Sequence, residues 1–132
     1  MNGRLEILEE LKIVENVVPT VEERTSQYEE WVKEKIGVCE MILSTTMHIL
    51  DYYLNRRELI NDRLFDNKFE LVYSSINEYM RNASWICCDY GISGEVLDKA
   101  VKEFKQKKSK VRKVKAEYKR KFAELRMNKV NS

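Results

Sequence analysis

The chain has 132 residues, 43% of them apolar and 35% charged, with one Pro and four Gly. Those proportions exclude a disordered chain and point to long helices, few turns and a modest core. The formal net charge of +2 conceals strong polarity: residues 99–129 carry 14 Lys or Arg against three acids, whereas residues 1–98 carry ten bases and 19 acids.

The opening MNGRLEILEE is acidic and periodic, unlike a signal peptide. The most apolar window, residues 36–54, contains Glu40, His48 and Asp51 and is not expected to insert in a membrane. Cys39, Cys87 and Cys88 form no C-x-x-C pair, which suits a reducing interior. The expected location is intracellular (cytoplasmic).

Leu5, Leu8, Leu11 and Val14 predict a short amphipathic helix over residues 3–16, ended ahead of Pro19. Thr20 followed by Glu23 has capping-box spacing and opens a second helix. Its apolar positions, from Tyr28 and Trp31 to Leu50 and Tyr53, predict a helix over 21–61 that is broken. Gly37, Ser44-Thr45-Thr46 and Asn55 are the candidate break points. Asp66-Asn67-Lys68 reads as a turn leading into a third helix over 68–90, which buries Phe69, Val72, Ile76, Ala83 and Ile86. Gly91 stands where a left-handed C-cap residue belongs, and Ser93 caps a fourth helix over 94–127. The expected fold is all-α: a single four-helix bundle-like domain with a short N-terminal helix and three longer antiparallel ones, the last long and basic.

In that last helix Leu97, Phe104, Val111, Tyr118 and Leu125 recur at heptad spacing and make a packing stripe. Lys107, Lys108, Lys115 and Lys121 interrupt it, so its middle is expected to be half buried or to protrude. Lys105, Arg112, Lys119 and Arg126 align along one edge, with Lys99, Lys113 and Arg120 beside them. Glu103, Glu117 and Glu124 share the opposite flank. Such a ridge can follow a phosphate backbone; it can equally sit on an acidic protein or an anionic membrane surface, or be an ordinary solvated helix face. Lysines outnumber arginines, which favours point-charge attraction over base reading. The segment SWICCDYGISGEVLDKAV also has the Gly-turn spacing of a DNA-reading helix-turn-helix, although its first helix is long for that motif.

Catalytic signals are few. His48 is the sole histidine and lies half a turn out of phase with Cys39, so the two face opposite sides of their helix. No zinc-ligand spacing, Glu-x-x-His motif or Gly-rich phosphate loop occurs, and neither metal nor cofactor is expected. Cys87-Cys88 and both tryptophans fit packing roles best.

The expectation is a non-catalytic binding protein that engages an anionic partner, most readily nucleic acid (DNA or RNA) with little sequence preference. Lys105, Lys108, Arg112, Lys113, Lys119, Arg120 and Arg126 are its binding residues, with Lys115 and Lys121 at the edge. The alternative is an assembly, adaptor or inhibitor module. It uses an apolar seam at Val111, Val114 and Tyr118 and the acidic first helices, against an acidic protein surface or a second copy in a homo-oligomer.

Overall fold

The computed structural model describes residues 19–131, which form three helices: α1 (Val21–Asn55), α2 (Asp62–Asp89) and α3 (Gly94–Asn131). The helix expected over 3–16 lies outside the described residues. Among the described residues the chain is all-α, with three helices where four were expected for the whole.

Helix α1 starts where Thr20 Oγ1 accepts the Glu23 N–H at 3.1 Å. It then runs unbroken past Gly37 and Ser44-Thr45-Thr46, two of the three expected break points. A single mid-helix Gly costs only about 1 kcal/mol, and here buried Lys35, Cys39, Leu43 and Thr46 bracket those positions. Thr45 turns its hydroxyl back to the Met41 carbonyl at 3.0 Å, so its polar group does not interrupt the helix. The break comes at Asn55, and residues 56–61 turn instead of extending the helix. Arg57 sits at φ 57°, with Arg57 N–H donating to Leu54 O at 3.0 Å and Glu58 N–H to Tyr53 O at 2.9 Å. This is a Schellman cap with a non-glycine residue in the left-handed position.

Helix α2 begins six residues earlier than expected, because Asn61 Oδ1 accepts from Arg63 N–H at 2.8 Å and Leu64 N–H at 3.4 Å. The supposed turn Asp66-Asn67-Lys68 is helical. Its turn tendency is overridden by burial of Phe65, whose ring lies 5.2 Å from that of Phe69 and 6.0 Å from that of Phe122. At the other end Gly91 takes φ 60°, and Ile92 N–H reaches Cys87 O at 3.0 Å. Ser93 Oγ then accepts the Glu95 N–H at 3.3 Å to open α3, which continues to Asn131 rather than stopping near 127.

Three long-range bonds fix the packing. Tyr28 donates to Ala83 O at 3.1 Å between α1 and α2, Tyr118 donates to Asp51 Oδ1 at 2.7 Å between α1 and α3, and Lys108 donates to Asn77 Oδ1 at 3.1 Å between α2 and α3. Helices α1 and α3 therefore run in one direction and α2 against both. Tyr28, Leu50, Phe69, Val72, Ile76, Phe104 and Val111 fill the core. The Lys35 ammonium, on a largely buried side chain, lies 6.0 Å from the Trp31 ring and 5.6 Å from the Tyr79 ring, where aromatic faces offset its lost hydration.

This packing corrects the helix-turn-helix reading. That motif crosses its helices at about 90–120°, but α2 and α3 stay in contact along their lengths, from Lys108–Asn77 to Arg126–Asp62.

Candidate nucleic-acid interface

Helix α3 divides into three strips. The first buries Ala100, Phe104, Val111, Tyr118 and Phe122 against α1 and α2. The expected seam residues belong here: Val111 and Tyr118 are 2% and 3% exposed, and Val114 packs half buried against them. An intermolecular seam at these positions is thus corrected to an intramolecular one, because the apolar stripe meets its partners within the chain.

The second strip comprises the two margins, where basic residues meet acids of the other helices. Lys107 pairs with Glu40 of α1, Lys115 with Asp66 of α2 at 3.5 Å, and Arg126 with Asp62 of α2 at 3.5 Å. The hydrogen bond from Lys107 holds the Glu40 carboxyl below its usual range. Lys121 pairs with Glu117 of its own helix at 3.3 Å and lies 4.9 Å over the Tyr118 ring. The lysines that interrupt the stripe therefore lay their stems over the core and send their charges to its edges. Val111 is buried at the middle of the stripe, while Lys107, Lys108, Val114 and Lys115 around it are half buried, as expected of a stripe interrupted by lysines.

The third strip faces solvent. Lys105, Arg112, Lys113 and Lys119 are exposed there, and none has an ion-pair partner among the described residues. Arg120 is exposed and pairs within its own helix to Glu124 at 2.7 Å, a contact that water and salt weaken readily. Of the seven residues named from sequence, five thus share the outer face. Lys108 is half buried on Asn77, and Arg126 is held by Asp62. Lys102, also exposed, was missed; it is in helical phase with Lys113 and Arg120, so the same spacing argument reaches it.

Between the rows of basic side chains lie Ser109, Ala116 and Ala123. At about 100° per residue, the sector from Arg126 round to Lys113 contains, over residues 99–126, only Lys, Arg, Ser, Ala and Val101, with no acid; Asp98 shares its azimuth one turn before that stretch, and Met127 and Val130 just after it. Glu103, Glu117 and Glu124 lie beyond it. The acidic helices neutralise the margins of α3 and leave its outward sector positive.

Elsewhere little gathers for chemistry. A groove of about 440 Å³ between α1 and α3 has an apolar floor of Tyr28, Val32, Ile36, Val96 and Ala100. Cys39 is buried, with burial pushing its thiol up to about 11, while His48 is exposed, so the two do not meet. Among the described residues, no group of three or more His, Cys, Asp or Glu could hold a metal ion, and no helix is long and apolar enough to cross a membrane.

A second surface was not foreseen. Met41, Leu71, Tyr52, Leu64 and Leu59 are 70%, 60%, 57%, 39% and 38% exposed. The Tyr28–Ala83 bond sets Met41 level with Leu71, and helical phase puts Met41 and Tyr52 of α1 and Leu64 and Leu71 of α2 on the outer α1–α2 face, away from the basic sector of α3; Leu59 lies in the connection between the two helices. The chain matches no protein-family model, no curated protein and no solved structure.

Proposed function

We propose that this chain is a non-catalytic, intracellular nucleic-acid-binding protein that holds the phosphate backbone on the outer face of α3, with little sequence preference. The observation that carries this reading is that Lys105, Arg112, Lys113 and Lys119 are exposed without ion-pair partners among the described residues, although acids are abundant on the neighbouring helices. A merely solvated bundle gains nothing from keeping this sector free of acids over residues 99–126, whereas a phosphate-binding surface gains counterion release at each cation.

The test is charge reversal with Arg112→Glu, Lys113→Glu and Lys119→Glu together. All three side chains are exposed, so the circular dichroism spectrum and melting temperature stay near wild type while nucleic-acid binding is lost. Retained binding contradicts the proposal.

The exposed apolar residues of α1 and α2 favour a second reading, protein–protein association, since contiguous apolar surface marks interaction sites. Met41→Lys with Leu71→Lys then abolishes self- or partner association and leaves nucleic-acid binding intact. This replaces Val111, Val114 and Tyr118 as the place to seek such an interface.

A further inference from the structure

We infer that the outer face of α3 seats in the major groove of B-form duplex DNA, with Ala116 at the centre of contact; this rests on the nucleic-acid reading above and names its substrate class. Two rows of cations flank the face. Lys105, Arg112 and Lys119 form one, and Lys102, Lys113 and Arg120 the other. At about 100° per residue the rows stand roughly 90° apart around the helix, with Ser109, Ala116 and Ala123 on the line between them. Ala116 and Ala123 are exposed and Ser109 is half buried. Cations on both flanks with short side chains between them can reach two phosphate strands while the helix axis approaches the floor between them.

The dimensions favour one nucleic acid over the others. A helix with its side chains is about 10–12 Å across, and the B-form major groove is about 12 Å wide. The major groove of an RNA duplex is too narrow and deep to admit it. Single strands are held chiefly by stacking bases on exposed aromatic rings. The aromatic residues of α3, Phe104, Tyr118 and Phe122, are all buried in the core, so its outer face has no stacking platform. The residues between the rows also account for low selectivity, because Ala offers a base edge only a methyl contact. The contact segment from Ser109 to Ala123 is about 21 Å long at 1.5 Å per residue, short enough to engage before the groove curves away.

The experiment measures binding of the full chain to a DNA duplex, an RNA duplex of the same sequence and the single DNA strand, at about 0.15 M salt. It compares wild type with Ala116→Leu/Ala123→Leu, which keeps every charge and a high helix propensity at exposed positions. The expected result is that wild type prefers the DNA duplex over both alternatives by about tenfold or more, and that the leucine variant loses at least about tenfold on that duplex. A duplex with bulky groups at pyrimidine C5, which project into the major groove, also binds worse. Equal binding to all three nucleic acids, or an unaffected leucine variant, overturns groove seating. If the reversal of Arg112, Lys113 and Lys119 still abolishes binding in that case, the phosphate surface stands. Absence of binding to any of the three at low salt overturns both.

Discussion

Tyr118 donates its hydroxyl to Asp51 Oδ1 at 2.7 Å, and this bond locks α3 to α1 with the basic sector turned outward. The two residues are 67 apart in sequence, and the phenol ring is itself part of the core. Tyr118→Phe keeps the ring and leaves the Asp51 carboxylate without its donor. A hydrogen bond to a charged group contributes about 1.5–3 kcal/mol. Because Asp51 is half exposed and water can replace part of the bond, a loss near the lower end is expected in urea unfolding.

The same phenol makes stability depend on alkaline pH. Burial, and then the hydrogen bond to Asp51, pushes the Tyr118 hydroxyl well above its ordinary value; burial does the same to Tyr28. The folded chain thus keeps protons that the unfolded chain releases above about pH 10. Their contribution is fully present below that pH and falls as pH rises further. Urea midpoints measured from neutral pH upward should decline beyond about pH 10, and Tyr118→Phe should reduce the decline.

Two backbone positions offer stabilisation. A Cβ at Gly37 meets nothing within 4 Å, so Gly37→Ala adds helix propensity at no steric cost. The expected gain is about 0.5–1 kcal/mol by denaturant titration. At Arg57, with φ 57°, a side chain is held in a conformation that glycine adopts freely, and Arg57→Gly relieves about 1 kcal/mol of that strain.

Thiol labelling should distinguish the cysteines. Cys88 is exposed, whereas Cys39 is 2% and Cys87 5% exposed and burial raises both their thiols. An alkylating reagent at neutral pH is expected to add one label quickly and two more only at the rate of unfolding, read by intact mass.

Asp62 pairs with Arg126 and Asp66 with Lys115, so under the proposed function each acid competes with phosphate for its cation. Asp62→Asn with Asp66→Asn releases both cations and should tighten nucleic-acid binding. The salt dependence should steepen by up to about 0.9 per cation recruited.

Much of this architecture was legible in the chain. Helical periodicity placed the core residues of all three described helices, and Thr20, Gly91 and Ser93 marked ends that depend on local hydrogen bonds. The failures came where tertiary packing outweighs local preference. Phe65 draws Asp66-Asn67-Lys68 into a helix, and the burial around Gly37 keeps α1 unbroken. Lysines at stripe positions hid their partners, since sequence does not show that Glu40 and Asp66 wait across the groove for Lys107 and Lys115. The outer face of α3 was legible because it depends on helical phase alone. The apolar patch from Met41 to Leu71 was not, because it joins residues of two helices whose register is set by the Tyr28–Ala83 bond.

The most direct measurement is the affinity of the full chain for a short DNA duplex across a salt series. If Lys105, Arg112, Lys113 and Lys119 each neutralise one phosphate, they contribute about −3.6 to the slope of log affinity against log salt, to which Lys102 and Arg120 add. The slope should then become shallower by about 0.9 for each of these residues changed singly to Gln. Binding that is absent at low salt, or a slope unmoved by those four substitutions, contradicts the account.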